Sequence, residues 1–461
     1  MSSRMGDEAV AITGVAGQLK ERILSKEAEI AVVGLGYVGL PLAVEFARKG
    51  LQTVGFDLDP VKVEKINAGV SYIQDVPGAA VAEVIQSGKF EATDEFDAMR
   101  ESDVVFICVP TPVTANKDPD MTYVRSASEA VAARMRRGQL VVLRSTTYPG
   151  TTEDILLPAL QKAASQEELD LGVDYFVAFS PERVDPGNTK YTTANTPIVV
   201  GGMTPACTDL VATVMEHIVG EVRRVSSPRT AEMEKLLENI FRSVNIALVN
   251  ELARLCDRIG GISMWEVVDA AASKPFGFMP FYPGPGLGGH CIPIDPYYLS
   301  WLARRYDFET NFITLSARTN EEMPYYVMEA VVKAVAKQPV ALSDASVLVL
   351  GAAFKRNVDD TRHSPAERVI ELLRGRGLGR IELSDPYVSM FKVGSREYTS
   401  RELTPEFVRE QNVIVLTTDH DNYPYEMIAQ NAQCIVDTRN AFARLGRPLE
   451  NVTLLGGGNF V

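Results

Sequence analysis

Histidine, tryptophan and cysteine are scarce in this chain, at four, two and five residues out of 461. The cysteines (Cys108, Cys207, Cys256, Cys291 and Cys434) are odd in number and widely separated. That excludes a disulfide framework and fits a reducing, cytoplasmic setting. No Cys-x-x-Cys pair or His/Cys cluster has zinc spacing, and the adjacent His290 and Cys291 are no metal signature by themselves, so no metal is expected. No apolar run reaches the ~18 residues of a membrane span. Basic residues are the minority, 46 against 60 acidic, for a net charge of −14. Nucleic acid is thereby excluded as a main partner, and anionic ligands are left to local basic residues. The first residues lack a signal-peptide core, and their acidic residues argue against a transit peptide. Low-complexity tracts and short-period repeats are missing as well.

What remains is an ordinary globular composition, 46% hydrophobic and 23% charged, long enough for two to three domains. One stretch departs from it. Residues 276–298, FGFMPFYPGPGLGGHCIPIDPYY, are too rich in glycine and proline for helix or strand. Cys291 sits just past the last glycines and Asp295 follows four residues later. A thiol at the end of such a loop can be approached by a large ligand, because glycine lacks the Cβ that would block access. A surface turn with a chance cysteine has the same composition, so the rest of the chain must decide.

Upstream, IAVVG leads into Gly34-x-Gly36-x-x-Gly39, then a helical LPLAVEFARKG, then a second strand TVGFD ending at Asp57. Strand, glycine turn, helix and an acid ~20 residues beyond form the dinucleotide fingerprint. Gly34 permits the tight turn, Gly36 lets backbone approach the pyrophosphate, and Gly39 lets helix and strand pack closely. Asp57 would accept from both ribose hydroxyls and repel a 2′-phosphate, which favours NAD over NADP. Further apolar β-rich runs at 102–112, 138–150, 174–188 and 196–202 continue the pattern. Thr111 and Thr146 fall at strand ends, where ligands bind in open α/β sheets, though either could be a helix N-cap.

Between 229 and 260 the apolar period changes to three and four: Met233, Leu236, Leu237, Ile240, Val244, Leu248, Leu252, Leu255 and Ile259. This predicts one long amphipathic helix between two domains. Lys235, Asn239 and Arg242 share a face of it. They would suit a bound oxyanion and phosphate, or form a solvated polar stripe. After the loop, residues 296–307 and 312–337 read as helices, with Asn320 and Glu321 between them. The βα pattern then returns with four strands at 345–355, 380–387, 412–420 and 432–440. The first turn of this half lacks Gly-x-Gly-x-x-Gly, so a second dinucleotide is not implied. Lys355, Arg356, Arg362 and Arg439 could hold a second phosphorylated ligand or serve solubility. The fold class is therefore α/β, two doubly wound Rossmann-like domains joined by a long central helix.

In order, GLGYVGLPLA, VPTP, RST, SPERVDPG, EMEKLLEN, GPGLGGHCIPIDP, GAAFKRNVDDTRHSP and DTRN resemble the motifs of the UDP-glucose/GDP-mannose dehydrogenase family, from about residue 29 onward. The resemblance implies an N-terminal extension over 1–28, an NAD-binding domain over 29–205, a central helical domain with the catalytic loop over 206–338, and a UDP-sugar-binding domain over 339–461. It implies a homodimer or higher homo-oligomer through the central helix, with Lys274 reaching the partner subunit's site. It also implies two successive oxidations of a sugar C6 alcohol, with NAD as cofactor and a thiohemiacetal and thioester on Cys291. Lys235 and Asn239 would stabilise the oxyanion, Asp295 would share in proton transfer, Glu182 would be the base for hydrolysis, and Thr146 would hold a water. Tyr37, Val38, Lys62, Thr111, Thr146 and Arg362 join the glycines and Asp57 around NAD. Arg183, Val184, Arg242, Phe354, Lys355 and Arg439 join Lys235 and Asn239 around the substrate.

Members acting on UDP-glucose typically carry NPEFLAEG and GFGGSCFxKD. Here their second acid falls at Pro186 and their lysine at Ile294. The patterns instead resemble members acting on UDP-N-acetylhexosamines, UDP-N-acetylglucosamine above all. UDP-GalNAc, UDP-ManNAc and UDP-glucose are the competing substrates. Remoter alternatives are a single-step hydroxy-acid dehydrogenase, against which the cysteine loop and second α/β domain argue, and a non-catalytic nucleotide-sugar-binding scaffold, which needs no thiol.

Overall fold

Strand β1 (Glu29–Val33) buries four of its five residues, and the strands beside it bury nearly all of theirs. Such runs belong to a parallel sheet covered on both faces. In the computed structural model, which describes residues 13–73, 76–114, 116–183, 188, 190–192, 194–289, 292 and 294–460, the chain divides into two units, Met1–Leu237 and Glu238–Val461.

The first unit is built on an eight-stranded sheet. Besides β1 it contains β2 (Gln52–Phe56), β3 (Phe90–Thr93), β4 (Val104–Ile107), β5 (Leu140–Leu143), β6 (Phe176–Phe179), β7 (Ile198–Gly202) and β8 (Val222–Val225). The order is β3-β2-β1-β4-β5-β6-β7-β8, parallel except for the β6–β7 pair. The first six strands follow the doubly wound dinucleotide order, which reverses between β1 and β4. Alternation along β1 sends Ile30 and Val32 into one core layer and Ala31 and Val33 into the other. The sheet continues past residue 205 through β8, whose sequence VRRV has exposed arginines at its centre and no apolar signal.

Helix Gly14–Leu24 packs Ala16, Leu19 and Ile23 into the core layer that also holds Leu210, Val211 and Val214 of helix Pro205–Met215. Lys20 pairs with Asp209 at 2.5 Å, and Arg22 donates to Asp103 at 2.7 Å. Residues 14–24 of the expected extension are thus part of this unit's core.

The second unit has a five-stranded parallel sheet. Its strands are β9 (Ser346–Leu350), β10 (Arg380–Ser384), β13 (Val413–Leu416), β14 (Ile435–Asp437) and β15 (Val452–Leu454), in the order β10-β9-β13-β14-β15. A hairpin of β11 (Met390–Val393) and β12 (Arg396–Thr399) lies apart from it. The order again reverses beside the first strand, between β9 and β13. The predicted long helix is Pro228–Ile259, and the division between units falls inside it. Helix Asn311–Ala336 runs unbroken through Asn320 and Glu321, where the sequence suggests a junction, and carries Pro324 inside. Proline removes an amide donor there, a cost that packing of Met323, Tyr326 and Val327 offsets.

Candidate functional site

In the first unit the loop after β1 meets the requirements of a dinucleotide turn. Gly34 has φ +90°, and a Cβ on it would lie 2.8 Å from the Cys108 carbonyl oxygen. A Cβ on Gly39 would sit 1.8 Å from the Gly34 carbonyl oxygen, so helix Gly39–Arg48 starts in contact with the turn. Gly36 has open space where a Cβ would be. The N-cap position is Val38, which offers no side-chain cap to the first-turn N–H groups. Leu40 N donates to the Gly36 carbonyl at 3.1 Å and Pro41 has no N–H, so the Gly39 amide is the first-turn donor left to meet an anion. Asp57, just past β2, accepts from Leu35 N at 2.9 Å and from Asp59 N at 3.0 Å, and Lys62 Nζ stands 3.2 Å away. Tyr37 is exposed beside the turn. A bare anion-ready helix end beside an open glycine and an acid held by the same loop fits NAD. Lys62 accompanies the acid without displacing it from the loop amide.

Farther along the sheet, Thr111 is buried and Thr146 half-buried, and neither occupies a helix N-cap, the alternative role available to both. Arg144, beyond β5, donates to Glu182 Oε2 at 2.6 Å, and the Glu182 Oε1 accepts from Arg183 N at 2.8 Å. Arg183 also donates to the Pro197 carbonyl at 2.6 Å and pairs with Glu234 at 3.4 Å. Lys235 is buried, which removes the solvated-stripe reading for it. Glu232, one turn earlier, is wholly buried and accepts from Gly150 N, Thr152 N and the Thr152 hydroxyl. Burial raises its pKa above the ordinary carboxylate range against those three donors. It ties the turn after β5 to the long helix. The only sequence signal for Glu232 is its place in EMEKLLEN, and for Arg144 its place in RST.

In the second unit Asn239 and Asp295 are both buried, and Asn239 Nδ2 donates to Asp295 Oδ2 at 2.5 Å. Asp295 opens helix Asp295–Arg304. Arg242, by contrast, is exposed. Cys291, with His290 and Pro293, and Val184, with Asp185 to Gly187, lie outside the described residues. Gly284, Gly286, Gly288 and Gly289 of the loop, read from sequence as room for a ligand, are in contact with the protein itself. A Cβ on Gly284 would come 2.8 Å from an Arg439 guanidinium nitrogen, and one on Gly288 would come 2.5 Å from Phe354 Cβ. Gly289 N donates to the Arg362 carbonyl at 2.9 Å. The structure thus gathers Phe354, Arg362 and Arg439 around the loop. Arg439 is half-buried and donates through Nε to the Thr417 carbonyl; desolvation lowers its pKa to about 10, with Asp437 opposing. Arg362 forks onto Asp360, with its closest contact at 2.6 Å. Arg356 pairs with Asp419 and Asp421. Lys355 is half-buried in the same turn.

That turn after β9 repeats the geometry of the first unit with a different outcome. Gly351 has φ +104°, and its Cβ would strike Thr418 at 2.5 Å, as that of Gly34 would strike Cys108. Asp385 accepts from Ala352 N at 2.7 Å, as Asp57 does from Leu35. Asp385 is fully enclosed, however, and also takes Ala353 N, Tyr387 N, Val388 N and His420 Nε2. Burial opposes its charge, yet the imidazole and the amides together hold its carboxyl below the ordinary range. No capacity remains for a ribose diol, in keeping with the missing fingerprint. Among the described residues no group of three or more His, Cys, Asp or Glu could hold a metal ion, and no helix is long and apolar enough to cross a membrane.

Comparison with known proteins agrees with this layout. Residues 28–219 match the NAD binding domain of the UDP-glucose/GDP-mannose dehydrogenase family, residues 229–322 its central domain, and residues 348–444 its UDP binding domain. A UDP-N-acetyl-D-mannosamine dehydrogenase of Pyrococcus horikoshii is 36% identical over 417 residues, covering 89% of this chain and 95% of the relative. A UDP-N-acetyl-D-glucosamine 6-dehydrogenase of Pseudomonas aeruginosa is 36% identical over 365 residues, covering 79% and 84%. The solved structure of the UDP-D-ManNAc dehydrogenase from Pyrococcus horikoshii superposes with a TM-score of 0.83 at 34% identity, covering 94% of this chain and 100% of that one. With a fingerprint turn built for NAD and all three family segments in order, the chain belongs to the UDP-glucose/GDP-mannose dehydrogenase family of NAD-dependent nucleotide-sugar dehydrogenases.

Proposed function

We propose that this chain oxidises the C6 alcohol of UDP-N-acetylglucosamine to the uronic acid, in two steps, for surface polysaccharide synthesis. The observation that carries the reading is the buried Asn239–Asp295 pair, whose aspartate lies four residues past Cys291 in sequence. An amide committed through one N–H to a carboxylate keeps its second N–H for an oxyanion. Bound NAD⁺ takes up one hydride in each oxidation. The chain's own residues do the rest. Cys291 adds to the C6 aldehyde, and Lys235 and Asn239 steady the developing oxyanion. Asp295 shares the proton transfers, and Glu182 serves the water that releases the acid, with Thr146 holding that water. Arg183, Val184, Arg242, Phe354, Lys355 and Arg439 hold the nucleotide sugar.

Relatives acting on UDP-GlcNAc and UDP-ManNAc are equally identical to this chain, so overall similarity does not rank the sugars. The SPERVDPG run and the Ile294 variant of the cysteine loop favour the N-acetylglucosamine substrate. We also place the enzyme in the cytoplasm, in keeping with its separated thiols, as a homodimer through the long helix. Leu237, Phe241, Leu248, Leu255 and Ile259 lie exposed along that helix, whereas Leu236, Ile240, Val249 and Ala253 are buried. A self-complementary apolar face of this kind fits a second copy of the chain.

The deciding experiment is incubation with NAD⁺ and a panel of UDP-sugars, followed by mass spectrometry of the products. The expected result is the uronic acid of UDP-GlcNAc with two NADH per sugar, and no net acid from Cys291→Ser. One NADH per sugar, or undiminished acid formation by Cys291→Ser, would refute the covalent two-step route. A preference for another sugar would refute only the substrate.

A further inference from the structure

We propose that Arg144 is a positioning residue of the hydrolytic step, holding the Glu182 carboxylate ionised and aimed. The inference rests on the reading that Glu182 is the base of that step. Strands β5 and β6 are neighbours and parallel, with Leu143 opposite Phe179. The next residue of each, Arg144 and Ser180, therefore emerges side by side at the carboxyl edge of the sheet. Arg144 Nη1 donates to the Ser180 hydroxyl at 3.2 Å, and Nη2 donates to Glu182 Oε2 at 2.6 Å. The arginine side chain is 1% exposed and the glutamate 16%. The guanidinium is enclosed, while the carboxylate it holds retains access to solvent.

A cation buried this deeply needs a nearby anion, because an unpaired buried charge is strongly destabilising. The neighbouring groups leave Glu182 in that role. Cys108, past β4, is buried, and burial pushes its thiol up to about 12, with Arg144 pulling it down and Glu182 pushing it up; the thiol stays neutral. Glu234, from the long helix, pairs with Arg183. Arg183 supplies its backbone N–H to Glu182 Oε1. Arg144 thus holds one carboxylate oxygen and the Arg183 amide the other, which fixes the plane of the carboxylate. A lysine could supply the charge but not the simultaneous grip on Ser180.

In the step served, the water oxygen bonds to the acyl carbon of the Cys291 thioester and a water proton passes to Glu182. The carbon–sulfur bond breaks with its electron pair on Sγ, and the proton ends on the thiol, leaving acid and free cysteine with no change of oxidation state. A base fixed beside a guanidinium stays ionised to lower pH. Arg144 therefore sets the acid limb of hydrolysis.

The test uses the full-length enzyme with UDP-GlcNAc and NAD⁺, following the NADH burst and the slower post-burst rate across pH in Arg144→Gln, Arg144→Lys and Glu182→Gln. Arg144→Gln should leave the burst intact, slow the post-burst rate about 10-fold, and move its acid limb up by about 1 pH unit. Arg144→Lys should restore the limb while the plateau stays reduced. An acid limb unmoved in Arg144→Gln, or displaced equally in Arg144→Lys, overturns the proposal. If Arg144→Gln does not fold, Arg144→Lys decides by its plateau: a post-burst plateau equal to wild type, despite the lost Ser180 tie, overturns the proposal. A Glu182→Gln enzyme with normal post-burst turnover would instead refute the role of Glu182 itself.

Discussion

Helix Gly14–Leu24 offers a sharp test of where the first unit's core ends. The helix has 11 residues, and its N-cap position, Thr13, makes no side-chain cap hydrogen bond. A helix of that length is marginal in water, so packing must hold it. Ile23 is fully buried and Leu19 is 3% exposed. Truncating such a side chain to alanine removes its transfer energy and leaves a cavity, for about 3 kcal/mol. The polar contacts contribute less. The Lys20–Asp209 pair is partly exposed on both sides, and such pairs are worth under about 1 kcal/mol. For a unit of this size each kcal/mol moves the midpoint by roughly 2–4 °C. We expect Ile23→Ala to lower the melting transition of the first unit by about 6–12 °C and Lys20→Ala by less than about 4 °C. Differential scanning calorimetry with and without NAD identifies that transition, because a ligand raises the unit that binds it. An Ile23→Ala shift no larger than that of Lys20→Ala would refute the claim that the helix belongs to the core.

Two further outcomes follow from the same geometry. The Asp103 carboxyl is buried, which opposes its charge, but donors from Arg136, Arg22 and Glu29 hold it below the ordinary carboxylate range. Its stabilisation is therefore complete above the unfolded value near pH 4 and is lost as pH falls through the lower folded value. Arg136→Ala should cost about 1 kcal/mol at pH 7, and the melting difference from wild type should shrink as pH falls below the unfolded value; a difference that stays constant with pH would count against the pairing. For the long helix, Leu248→Glu places a charge in the exposed apolar face. The proposed homodimer predicts that the wild type sediments as a dimer and Leu248→Glu as a monomer; a monomeric wild type would refute the dimer, and an unchanged dimer in the variant would place the interface elsewhere.

Most of the fold was legible because its signals are periodic. Buried parallel strands read as unbroken apolar runs, and the long helix read from a three-four spacing that the structure reproduces as Pro228–Ile259. Strand β8 escaped because VRRV at a sheet edge carries no apolar pattern, and β15 because it spans only Val452–Leu454. The helix period identified the long helix but not which apolar residues face its core. Leu248 and Leu255 satisfy the spacing yet are exposed, whereas Ala247 and Ala253 fill the buried face. Arg144 was hidden for a related reason. Its neighbour Glu182 lies 38 residues away in sequence, and only the pairing of β5 with β6 brings them together.

The two sheets show why a turn must be read with its neighbours. Gly34 and Gly351 both have positive φ, both press on the strand next in the order, and both are followed by an amide donating to an acid from the adjacent strand end. Backbone geometry alone would assign the two turns the same ligand. The difference lies in the acid's remaining capacity. Asp57 stands at the edge of an open glycine, with Lys62 as its charged neighbour. Asp385 has its oxygens taken by four amides and His420, whose Nδ1 accepts from Asn357 N and so fixes the proton on Nε2. One turn can offer acceptors to a ribose, and the other has converted the same acid into an internal brace. In the proposed reading the second sheet holds its ligand by cations, and the half-buried Arg439 stands against the Gly284 backbone. A side chain at Gly284 would have to displace that guanidinium. The glycine of the cysteine loop is therefore required by Arg439, and access for a ligand is secondary.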